Sequence, residues 1–236
     1  MTGRAPLAVL CALVPALALA AVKPRYTAPE VFDQVLATQE AQAWLKASVV
    51  KREGPIHAKT ADLALTRGRL QSQPGGLARL EISEPSKGLI LADGKVLWVE
   101  LAEVQQVMKY DVRKLVASGN FFLDLASSIR HYSKASQRRL IPVGQGFDAS
   151  HVTALELLPL KPEQAGFERL RVWVDEKGWV VLRVLMDFGG TRSDIRFEAV
   201  STLSQAALAK DPKQALDPAL FKYKPPKGFE VFDLDL

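Results

Sequence analysis

The segment Lys87–Gln106, KGLILADGKVLWVELAEVQQ, constrains this chain more than any other. Asp93-Gly94 marks a hairpin turn, because that dipeptide accepts positive φ at both central positions. A two-residue turn there pairs Ala92 with Lys95, Ile90 with Leu97 and Gly88 with Val99, and sets Lys87 opposite Glu100 at the open end. One face then carries Gly88, Ile90, Ala92, Leu97, Val99 and Leu101, the other Leu89, Leu91, Val96 and Trp98. An antiparallel hairpin ordinarily alternates apolar and polar faces, since one side meets water. This one is apolar on both sides, so each face has to be covered.

The amino-terminal stretch has the layout of an export signal. Arg4 supplies the positive start, Leu7–Leu19 the apolar run, and Ala18-Leu19-Ala20 the small-x-small cleavage site. The reading is a signal peptide over 1–20 and one domain over 21–236. As a transmembrane anchor the run is short, and Pro15 suits cleavage better. Cys11 is the sole cysteine and lies inside the signal, without the small residue before it that a lipoprotein signal carries. The mature chain therefore has neither disulfide nor thiolate chemistry to use. The net charge of +5 drops by one when Arg4 leaves, and no Lys/Arg block appears. That balance speaks for solubility and against nucleic acid as a partner.

Thr27-Ala28-Pro29-Glu30 matches a capping box and opens a helix expected from Pro29 to Leu45. Strands follow at about Ala47–Glu53, Ala61–Gln71, Leu77–Ser83, the hairpin, and Val104–Lys109. In Leu77–Ser83 the apolar Ala78, Leu80 and Ile82 alternate with Arg79, Glu81 and Ser83, the period of a half-buried strand. Asn120 caps a second expected helix to about Tyr132, whose stripe includes Phe121, Phe122, Leu125 and Ile129. Strands return at Leu170–Val174, Val180–Met186 and Ile195–Ala199. The absence of β–α alternation argues against a parallel sheet.

Leu91-Ala92-Asp93-Gly94-Lys95-Val96-Leu97-Trp98, then Val104-Gln105-Gln106, then Phe221–Val231 (FKYKPPKGFEV), resemble the LolA family of periplasmic outer-membrane lipoprotein carriers. Pro74 and Pro85 bracket a strand as two prolines do in that family, and Asp187–Arg192 is similar to its late D-x-x-G run. The resemblance implies a mainly β fold with α: an incomplete antiparallel barrel of about eleven strands under a helical lid. It implies a monomeric periplasmic carrier without cofactor that shields the acyl chains of a lipoprotein or related lipid between inner and outer membrane. Its implied partners are that cargo, an inner-membrane releasing transporter and an outer-membrane acceptor. Candidate cavity residues are Leu80, Ile82, Ile90, Leu97, Val99, Leu101, Phe121, Phe122 and Leu125. The family places an arginine before the first bracketing proline, where it latches the lid of the empty carrier. Here that position holds Gln73, and Gly75-Gly76 adds a residue after Pro74. A glutamine lacks both the charge and the five-donor fork.

Catalytic chemistry finds little support. His57, His131 and His151 are scattered, and Asp175-Glu176 reads as a solvated hairpin tip rather than an acid–base pair. The glycines are too sparse for a phosphate loop. A non-enzymatic carrier is the leading reading, with a periplasmic sensing module of the same fold as the alternative.

Overall fold

A computed structural model describes residues 25–112, 136–162 and 167–234 of the chain. Helix α1 spans Ala28–Ala41 and is followed directly by β1, Gln42–Pro55. Next come β2 (Ala64–Gln73), β3 (Leu77–Glu84), β4 (Gly88–Asp93), β5 (Val96–Leu101) and β6 (Gln106–Asp111). Strands β7 (Ser136–Ile141), β8 (Val152–Pro159), β9 (Arg169–Asp175), β10 (Val180–Phe188) and β11 (Thr191–Ser204) follow. A short helix α2, Gln205–Lys210, and a final strand β12, Glu230–Leu234, complete the described elements.

All twelve strands form one open sheet in the order β12-β6-β5-β4-β3-β2-β1-β11-β10-β9-β8-β7. Every pairing is antiparallel except β12 with β6. The mainly β, incomplete-barrel architecture expected from the sequence is thus the observed one, with β12 as the member beyond eleven. Strand β1 is the hinge of the topology, because it joins the β2–β6 half to the β11–β7 half.

The capping box forms as read: Glu30 Oε2 accepts from the Thr27 amide at 2.6 Å, and Thr27 Oγ1 accepts from the Glu30 amide at 3.4 Å. The helix stops four residues earlier than expected (Ala41 against Leu45) because Gln42 turns extended, φ −72° and ψ 141°. From there the chain pairs with β11, and the Trp44 indole donates to the Gln214 carbonyl at 2.9 Å. Two neighbouring elements thus hold Trp44 on a strand, which outweighs its tolerance of helix. Val31, Phe32 and Val35 of α1 are buried against Leu155, Leu170, Val172 and Val184 on one face of the sheet. We call that face inner. Each such side chain contributes about 2 kcal/mol of burial, so α1 is fixed across the β8–β10 half.

The hairpin register differs from the sequence reading. Ala92 pairs with Leu97, Ile90 with Val99, Gly88 with Leu101, and Glu100 faces Leu89 rather than Lys87. Only Gly94 takes positive φ (88°), while Asp93 Oδ1 accepts from the amides of Lys95 and Val96 at 2.9 and 2.8 Å. Asp93 therefore belongs to the strand end and the two-residue loop is Gly94-Lys95. The shift spans two residues of β5, so each side chain keeps its predicted face.

Candidate functional site: an apolar recess with a polar end

The expected cover is present on the outer face of the hairpin, and the inner face of the sheet holds a recess. Outside, the chain after α2 lies over β3–β5. Arg79 donates to the Leu220 carbonyl at 3.2 Å, Tyr223 stacks obliquely on Trp98 with ring centroids 5.4 Å apart, and the Tyr223 hydroxyl donates to Glu100 at 2.6 Å. Leu91, between Arg79 and Trp98 in the ladder, is wholly buried. Burial, and then the Glu100 carboxylate as its bond partner, push the Tyr223 phenol well above its ordinary range.

Inside, the sheet and the carboxyl-terminal end of α1 enclose a recess of about 160 Å³. Its apolar wall comes from both halves of the sheet. Leu70, Leu80 and Ile90 stand on one side, Val184, Ile195 and Phe197 on the other, with Val49 of β1 between them. The polar groups gather at one end: Gln39 and Gln42 at the close of α1, Ser72 and Gln73 at the close of β2. The recess thus grades from amide-lined to hydrocarbon-lined, a shape suited to an amphiphile. An apolar cavity of similar size stays dry and accepts a guest the size of benzene, so a long acyl chain requires it to widen.

Of the sequence candidates, Leu80, Ile90 and Gln73 border the recess. Ile82 packs beside it with Leu80, Ile90 and Phe197. Leu97 and Val99 continue the same face in a cluster with Ala78, Ala92 and Ile90, and border no part of the recess. Leu101 ends β5 at 40% exposure, because its partner on β4 is Gly88, which has no side chain to cover it, and it borders no part of the recess. Phe121, Phe122 and Leu125, with the lid helix expected around them, lie outside the described residues. The far wall and the Gln39–Gln42 pair escaped sequence reading. The alternation of Ile195 and Phe197 gave their shared face, but only the β1–β11 pairing brings that face opposite Leu80.

The outer face of β8–β11 carries charge instead. Asp187, only 3% exposed, accepts from Arg192 at 2.7 and 3.1 Å and from Arg171 at 3.4 Å. Burial pushes the Asp187 carboxyl up, but the Arg192 bond and the charges of Arg192, Arg171 and Arg169 outweigh it and hold the group below its ordinary value. Asp194 accepts the Arg183 fork at 2.7 and 2.8 Å, and Glu156 pairs with Arg139. These are partnered structural groups on the face away from the recess. Among the described residues, no three His, Cys, Asp or Glu side chains are grouped to hold a metal ion, and no helix is long and apolar enough to cross a membrane.

These features define a half-barrel binding fold, a single curled sheet whose inner face holds an apolar recess. The family described as "Outer membrane lipoprotein carrier protein LolA" matches residues 56–224, well over half of the chain. The chain belongs to that family. It is 28% identical over 168 residues to an outer-membrane lipoprotein carrier protein of Haemophilus influenzae, covering 70% of each chain. A Legionella pneumophila protein of the same description is 24% identical over 178 residues, covering 75% of this chain and 78% of its own. An uncharacterized conserved protein from Thermus thermophilus shares the fold at a TM-score of 0.54 and 15% identity, over 88% of this chain and 99% of that one.

Proposed function

We propose that the protein is a periplasmic carrier that takes the acyl chain of a lipoprotein or related lipid into the recess and shields it from water between the inner and outer membranes. The observation that carries this reading is the wall shared by both sheet halves, Leu80 and Ile90 facing Ile195 and Phe197, in a chain of the lipoprotein-carrier family. A transported acyl chain loses about 0.8 kcal/mol per methylene left in water, and a dry hydrocarbon wall restores that without any reaction. Handover then follows differences in affinity among an inner-membrane donor, this carrier and an outer-membrane acceptor. Gln73 sits at the polar end, where the family uses an arginine to hold the empty form closed. Its neutral amide makes weaker bonds than a charge-assisted donor, so closure here is held more loosely and cargo more firmly.

The test is native purification followed by mass spectrometry of bound lipids and lipoproteins, for wild type and for Leu80→Asn and Ile90→Asn. Wild type is expected to retain acylated cargo, and the folded variants to retain at least tenfold less. Folded variants carrying normal cargo, or wild type free of acylated species after exposure to lipoprotein-bearing membranes, would overturn the reading.

A further inference from the structure

The polar end of the recess is built for one chemical group. Gln42 is 9% exposed, and its Nε2 is fully buried with no hydrogen-bond partner among the described residues. Gln39 Oε1 is in the same condition. Both residues border the recess. They stand three apart across the last turn of α1, where the Gln42 amide donates to the Gln39 carbonyl, so their side chains leave the helix on one side. A buried polar atom without a partner is costly, and a native fold normally satisfies it. Here one orphan is a donor and the other an acceptor, and both belong to residues that line the recess, so a guest that widens it is placed to meet them.

We infer that Gln39 and Gln42 form a subsite for the acyl linkage of the guest, and that it prefers a secondary amide to an ester. An N-acyl linkage offers a carbonyl to Gln42 Nε2 and an N–H to Gln39 Oε1. An ester offers only acceptors and leaves Gln39 unsatisfied. The alkyl chain then runs past Val49 toward Leu80 and Ile195. The hydrocarbon wall supplies affinity for any acyl chain, and the glutamine pair selects how that chain is attached. A buried site that hydrogen-bonds one ligand group rejects analogues lacking it, because its own polar atoms stay unpaired. This subsite rests on the carrier reading above.

The experiment uses three probes with one chain length: N-methyldecanamide, methyl decanoate and decane. Binding to the purified full-length mature protein is measured by displacement of an apolar fluorescent dye. In Gln39→Leu the amide-to-ester affinity ratio is expected to fall about tenfold, the worth of a single buried hydrogen bond. In Gln42→Leu both amide and ester are expected to weaken about tenfold against decane, since both use the carbonyl. Neither change is expected to lower the unfolding midpoint of the empty protein, because each removes an unpartnered buried atom. Gln39→Met and Gln42→Met repeat the test with flexible side chains. Ratios unchanged in every variant, with decane still bound, would overturn the subsite and leave the carrier intact. Failure of wild type to bind any of the three would overturn both. A loss of folding in the Leu and Met variants alike would show that the two amides have structural partners, and would also overturn the subsite.

Discussion

Tyr223 shows how much one side chain contributes to the cover of the hairpin. Its ring lies on Trp98 and its hydroxyl donates to Glu100 at 2.6 Å. A hydrogen bond to a charged acceptor contributes about 1.5–3 kcal/mol, so Tyr223→Phe is expected to lower stability by about 2 kcal/mol in urea unfolding, with the ring contact kept. The phenol's folded pKa is raised, so this contribution is complete below the unfolded value near pH 10. It is lost as pH rises from there through the folded value. Wild type and Tyr223→Phe should therefore begin to converge in stability above about pH 10. A gap that stays constant across that range would show that the difference does not come from the protonated hydroxyl. This contact was invisible in the sequence, where Tyr223 and Trp98 are only two aromatics in separate motifs. A separation of 123 residues between Tyr223 and Glu100 leaves no local trace.

Among the elements, the clearest in the sequence were those specified by local chemistry. The capping box began α1, and period-2 alternation gave β3 with Ala78 and Leu80 turned inward. The hairpin's faces were right although its register was not, because parity survives a two-residue shift. Placing the loop depended on whether the Asp93 carboxylate would bond the Lys95 and Val96 amides, a choice that composition does not reveal. The end of α1 was misread for a different reason: Ala43 and Trp44 suit helix or strand, and pairing with β11 decides. Strands β10 and β11 were legible as alternating runs, yet their outer charges form one network only after folding. There, Arg192→Ala leaves Asp187 buried with only the weaker contacts of Arg171 and Arg169 and is expected to cost about 3 kcal/mol. The depressed Asp187 pKa gives stability that is present above about pH 4 and lost as pH falls through the folded value. The variant should accordingly unfold at higher pH on acidification, followed by circular dichroism. An unchanged acid midpoint would mean that Arg171 and Arg169 hold the carboxylate without Arg192.

At the scale of the whole molecule, one sheet serves two purposes: its inner face walls a recess, and its outer face over β3–β5 is covered by the chain's own carboxyl-terminal segment. A chain cut after Asp211 loses the contacts to Trp44, Arg79, Trp98 and Glu100 together with β12. It is expected to bind an apolar dye strongly and to lose its cooperative melt. A truncated protein that melts like the full chain would show the outer cover to be dispensable. The same arrangement sets an order in time. The hairpin is synthesised long before the segment that covers it, by about ten seconds at ordinary rates of chain growth. Throughout that interval its outer face, with Leu91 and Trp98, is an unprotected apolar strand surface of the kind that pairs with strangers. Before its own tail arrives to cover it, the newborn chain needs shelter from outside.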